Sequence, residues 1–234
     1  MNKTDAKKLM MKYLLPQIEK IGYKERGKGA EFEIVRKIAS GEDIISGGFT
    51  DYNPIQKIIY GCNKRHEAII AILKSLEEKG VILSPPISRH TITIGFRYET
   101  LNGLNFVGYL PEMETEVDVK KCVDKMLDFL HNIAFPLLDK FNDLREIDML
   151  INGEQPWTTD YRMPYALGGN FYEKRLIIAK LSGNPNFQSL IDFCYDSLEQ
   201  LSAKSGHPFT YNRNDMTKPL PALIKLLQGV KSLY

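Results

Sequence analysis

The apolar residues of this chain change their spacing along its length, and that change restricts the fold more than any other feature. Phe32, Ile34, Arg36 and Ile38 fall on alternate positions across residues 31–38. Ile92, Ile94, Phe96 and Tyr98 do the same between Thr91, Thr93 and Arg97. This is the period of strands with one buried face. From Val119 onward the spacing is helical. Val119, Val123, Met126, Leu127, Leu130, Ile133, Leu137 and Phe141 mark one face. Phe187, Leu190, Ile191, Cys194, Leu198 and Leu201 mark a second, and Leu223, Ile224, Leu227 and Val230 a third. A chain that pairs strands first and then runs to its end in helices is α+β, with an antiparallel sheet and helices on one face.

The other elements follow from caps and breakers. Leu9, Met10, Tyr13, Leu14, Ile18 and Ile21 predict a first helix closed by Gly22, with Pro16 inside it. Residues 31–38 and 43–51 read as a hairpin interrupted at Ser40-Gly41-Glu42. Residues 54–79 allow two readings. A single helix could run from Pro54, but Gly61 and the run Ile58-Ile59-Tyr60 favour a strand over 55–63, then a helix over 66–79 stopped by Gly80. Asn102-Gly103 is a type I′ turn signal leading into a strand over 104–110. Thr115 and Asp118 imitate a capping box for the long helix, which Pro136 should bend or split. A short helix over 143–151 precedes a long loop over 152–169. A helix over 171–181 follows, and a second irregular stretch, 205–218, precedes the last helix. The expectation is a sheet of about five strands and a helical C-terminal extension. It forms a single domain over 1–234, with a sub-boundary near 150 and residues 151–234 docked onto the rest.

With 43% hydrophobic and 26% charged residues the chain belongs to the ordinary globular class. A net charge of +2 is too small to imply a polyanionic partner. Residues 1–40 hold ten basic and five acidic side chains and residues 111–150 the reverse, which reads as differently signed solvent faces rather than a nucleic-acid surface. Cys62, Cys122 and Cys194 are scattered and odd in number, which suits buried thiols in a reducing compartment. With neither a secretory leader nor a run of transmembrane length in view, a cytoplasmic protein is expected.

The motifs that carry chemistry fail on spacing or context. Gly22, Gly27 and Lys28 match G-x-x-x-x-G-K, but Gly29 stands where a magnesium-binding hydroxyl is needed and the expected context is helix to strand. Cys62 and His66 are four apart without a second pair to complete a metal site. Ser84, Ser88, His90 and His131 lack the companions of a nucleophilic triad. No metal and no cofactor is expected, and catalytic residues cannot be named.

The strongest candidates lie in the two irregular stretches. Trp157, Asp160, Tyr161 and Arg162 surround the only tryptophan inside the longest loop, while His207, Tyr211, Arg213 and Asp215 occupy the second. Long loops in compact domains often bind, and Trp, Tyr and Arg dominate interface hot spots. The plainer alternative is that Trp157 and Tyr165 only pin the loop to the core.

Phe49-Thr50-Asp51-Tyr52-Asn53-Pro54, the following Ile58-Ile59-Tyr60, and the run from Ile147 to Asn152 resemble a pattern found in uncharacterised bacterial domains of unknown function. The resemblance covers about the first two thirds of the chain. It implies a strand after the aromatic-Asp-Tyr segment and transfers no catalytic residue.

The function expected from these readings is a non-enzymatic, cytoplasmic bacterial protein of immunity or regulatory type that engages a protein partner through the Trp157 and Tyr211 loops. The alternative is an enzyme of unfamiliar type in which Asp160, Arg162, His207, Arg213 and Asp215 line a cleft for a small polar or anionic substrate.

Overall fold

The computed structural model describes residues 1–27, 31–51, 55–81, 92–97, 101, 112–153, 157, 165–167, 170–205 and 213–234. Backbone contacts divide the chain into two units. The first comprises Met1–His66, Ile94–Lys140 and Met163–Ala166, and the second Glu67–Thr93, Phe141–Arg162 and Leu167–Tyr234.

The first unit holds the sheet. Helix α1 (Lys3–Ile18) begins earlier than the apolar pattern predicts because Asn2 caps it, its side chain accepting from the Asp5 N–H at 2.9 Å. Ala6, Met10, Leu14 and Ile18 form its buried stripe, and Pro16 is held inside the helix. Gly22, at φ 92°, closes the turn that follows. Strands β1 (Lys24–Arg26), β2 (Phe32–Ile38), β3 (Gly41–Asp51), β4 (Gln56–His66), β5 (Ile94–Phe96) and β6 (Tyr165–Ala166) lie side by side in chain order, each antiparallel to the next. Ile34, Ile45, Cys62 and Phe96 stand opposite one another across four strands and make an apolar row on one face.

Helix α3 (Glu116–Phe129) starts with the anticipated capping box between Thr115 and Asp118. Its Phe129 ring meets Tyr60 and Phe96 on the same face of the sheet, at centroid distances of 5.9 and 6.5 Å. The long helix is split just ahead of Pro136, in keeping with the expectation. A wider turn, Leu130–Ala134, in which the Phe135 N–H reaches the Leu130 carbonyl, carries the chain into α4 (Phe135–Lys140). The extra residue per turn absorbs the N–H that proline lacks and the room its ring needs.

The second unit is helical: α2 (Glu67–Glu78), α5 (Leu144–Asn152), α6 (Phe171–Ser182), α7 (Phe187–Ser205) and α8 (Pro219–Gln228). Helix α6 is buried on almost every side, among α2, α5, α7 and α8. The C-terminal residues run back over it. The Leu233 N–H donates to the Leu181 carbonyl at 2.9 Å, and the Leu144 N–H donates to the Tyr234 hydroxyl at 3.2 Å.

Of the two readings of residues 54–79, strand then helix is the one the fold adopts, with the change at His66 and Glu67. Strands β1 and β6 are not visible in the sequence pattern. The first is Lys-Glu-Arg, with no apolar alternation, and the second is two residues inside the segment expected as loop. The strand expected over 104–110 and its Asn102-Gly103 turn lie outside the described residues.

Candidate interaction surface

Three of the eight candidate residues fall among the described ones. Trp157, half-buried, donates from Nε1 to the Asn152 carbonyl at 2.8 Å and sets its ring edge-on to Phe193 of α7, at 5.6 Å. Arg213 pairs with Asp192 of α7 at 2.9 Å, reaches Asp196 at 3.8 Å, and lays its guanidinium over the Tyr195 ring at 4.4 Å. Trp157 and Arg213, one from each irregular stretch, thus meet consecutive residues of one helix, Phe193 and Asp192. Asp215 turns inward on its own loop, accepting from the Thr217 N–H and hydroxyl at 3.0 and 2.6 Å, bonds that lower its carboxyl pKa. Asp160, Tyr161, Arg162, His207 and Tyr211 lie outside the described residues.

Beneath Trp157 is a polar cluster that the sequence pattern does not announce. Arg175 of α6, 1% exposed, donates to Asn152 Oδ1 at 2.7 Å and to the Ile151 carbonyl at 2.6 Å. Its guanidinium stands 5.0 Å from the Phe193 centroid and 5.7 Å from that of Phe171. Burial holds its pKa below the ordinary arginine value. Asn152 Nδ2 and Asn184 Nδ2 each donate to Asp148 at 2.7 Å. Asn152 therefore joins Arg175, Trp157 and Asp148, so the orientation of the half-buried indole depends on a buried cation one layer below.

Lys174, the neighbouring residue, is also 1% exposed, and its ammonium donates to the carbonyls of Leu167, at 2.6 Å, and Ile92. Removal from water pushes its pKa down to about 8, the charge of Glu173 opposing part of the fall. Between about pH 8 and the ordinary lysine range the unfolded chain holds the extra proton, so stability rises with pH across that window. Below it the cost of burying the charge is fully present. Replacing Lys174 with methionine is expected to remove about 2–3 kcal/mol of that rise. Urea titrations of both proteins at pH 7.5 and 10 measure the difference, and equal slopes with pH refute it.

The first unit carries a second buried cluster. Arg36, Asp43 and Lys64 occupy one cross-strand row on the core face. The side chains of Asp43 and Lys64 are fully buried and form an ion pair, while Arg36 reaches Asp43 at 2.6 Å and Asp139 of α4 at 2.5 Å. Burial lowers the Lys64 pKa, and Asp43 opposes the fall. Tyr23, stacked on Phe135 at 5.0 Å, lies under Arg36, and burial raises its phenol pKa. The signal for this row was present as parity. Arg36 occupies an apolar slot of β2, and Lys64 follows Ile58, Tyr60 and Cys62 at the same two-residue spacing.

The other sequence motifs resolve into structure. Gly22 and Gly27 bracket a strand, β1, so no helix N-terminus follows them, and Lys28 lies outside the described residues. Cys62 and His66 are buried on β4, and no group of three His, Cys, Asp or Glu able to hold a metal occurs among the described residues. All three cysteines are free and buried, which raises the thiols of Cys122 and Cys194 to about 12. Several cations of the basic N-terminal quarter are paired. Lys7 meets Glu25 at 3.2 Å, Lys12 meets Glu116 at 3.5 Å, and Arg26 meets Glu33 and, at 2.9 Å, Glu42. No described helix is long and apolar enough to cross a membrane. No family model, curated protein or solved structure matches the chain.

Proposed function

We propose that this chain is a non-enzymatic bacterial interaction protein of the cytoplasm, of immunity or regulatory type, that binds a protein partner through the α7 surface carrying Trp157 and Arg213. The observation that supports this reading is the contact of Trp157 and Arg213, from two separate irregular stretches, with consecutive α7 residues. Trp157 meets Phe193 there, and Arg213 meets the carboxylates of Asp192 and Asp196. Arg213 and Asp192 keep about half of their side-chain surface in water, at 48% and 51%. A partner that covers the patch would desolvate a cation and an aromatic ring together, the combination that concentrates binding energy. The buried, inert thiols suit a reducing compartment.

The test is capture of a partner on tagged protein, comparing wild type, Trp157→Ala, Arg213→Ala and a control in the first unit, Lys20→Ala, each first shown to be folded. Loss of a hot-spot side chain is worth about 2 kcal/mol or more, or roughly thirtyfold in affinity. The same partner should therefore be held by wild type and Lys20→Ala and lost from the other two. Equal retention on all four refutes the assignment.

A further inference from the structure

At the end of α6 the chain turns sharply. Gly183, at φ 77°, closes the helix, Asn184-Pro185 reverses direction, and α7 starts at Phe187. The C-terminal residues pass alongside, fixed by the bond from Leu233 to Leu181. Turn and tail leave a groove of about 560 Å³, lined by Ala179, Lys180, Asn184, Phe187, Val230 and Lys231 among others. We propose that this groove binds a small organic anion, a phosphate monoester or carboxylate carried on a flat apolar body.

The argument rests on which groups in the groove are already satisfied. Asn184 donates from Nδ2 to Asp148 and accepts from the Asn186 N–H at 2.7 Å through Oδ1. Ser232 donates its hydroxyl to a main-chain oxygen of Tyr234 at 2.8 Å. The two ammonium groups are different. Among the described residues neither Lys180 nor Lys231 has a carboxylate within ion-pair reach, and the Nζ of Lys180 rests over the Phe187 ring at 5.5 Å. The groove therefore offers positive charge and N–H donors without a matching acceptor, which an anionic head supplies. Ala179, Val230 and the half-buried Phe187 ring give the rest of the ligand an apolar wall. A bare inorganic ion would leave that wall wet, and a neutral aromatic would leave the two cations without a partner.

Amide shifts in NMR spectra of the full chain, titrated with phenyl phosphate, benzoate, inorganic phosphate and phenol, test the proposal. Phenyl phosphate and benzoate at up to about 10 mM should give saturable shifts confined to residues 179–187 and 230–232. Inorganic phosphate and phenol should bind more weakly. The double variant K180Q/K231Q, whose remaining spectrum reports that it is folded, should weaken phenyl phosphate about tenfold or more, since each lysine contributes a charged hydrogen bond. The proposal is overturned by any of three results: no localised shifts, phenol as effective as the anions, or unchanged affinity in K180Q/K231Q. Inorganic phosphate equal to phenyl phosphate removes the apolar arm from the ligand and overturns that part.

Discussion

Asp43→Ala should cost about 3–5 kcal/mol of stability, because it strands a buried cation. Asp43 and Lys64 face each other on adjacent strands with no exposed side-chain surface, and Arg36 completes the row from the other side. Without the carboxylate the Lys64 ammonium keeps both its desolvation cost and the repulsion of Arg36 but loses its ion-pair partner. Arg36 can still turn to Asp139 at the solvent edge, so the loss concentrates on Lys64. If the charge is what matters, removing both partners should cost less than removing one. Asp43→Leu with Lys64→Met replaces the pair by apolar groups and should recover at least half of the single-variant loss. Urea midpoints of wild type, Asp43→Ala and the double variant measure this, and a double variant as unstable as Asp43→Ala would mean that shape, not charge, governs the row.

The second large effect is expected at Arg175. Arg175→Met keeps the aliphatic stem against Phe193 and Phe171 but removes the donors to Asn152 and Ile151. Buried acceptors left without donors cost about 1–3 kcal/mol each, offset in part because a buried cation is no longer held out of water. A net loss of about 2–4 kcal/mol follows. The change should also be visible in fluorescence. Trp157 is the only tryptophan, and its N–H is held by the Asn152 carbonyl, so loosening Asn152 should shift emission to the red and raise quenching by acrylamide. Arg213→Ala touches α7 at Asp192 and Tyr195 instead and should leave the emission unchanged. A red shift in Arg213→Ala, or none in Arg175→Met, would break the proposed dependence of Trp157 on the buried layer.

The two clusters differ in how far they could have been foreseen. On β2 and β4 the charged residues of the first unit sit in the apolar positions of an alternating pattern, so Arg36 and Lys64 are marked by parity, although their partner on β3 is not. In α6 no such mark exists. Glu173-Lys174-Arg175 is a run of charge within the helix expected over 171–181, and only the enclosure of the helix on almost every side puts Lys174 and Arg175 inside. The candidate residues that do lie among the described ones, Trp157, Arg213 and Asp215, were singled out by residue type and by their place in two irregular stretches. Their roles diverge because Trp157 and Arg213 find partners on α7 while Asp215 finds them on its own loop.

The sequence by itself determined the class of the fold and most of its elements. Alternation, helical spacing, the Thr115 capping box and glycines at helix ends are local signals, and local backbone physics suffices to read them. The tertiary structure decided the rest. It recruited β1 and β6 into the sheet through hydrogen bonds to a neighbouring strand, which need no apolar pattern of their own. It also chose which charged side chains are buried and what they hold. Those choices depend on which distant segment supplies the opposite charge or the free carbonyl, and that pairing is a property of the folded chain rather than of any window along it.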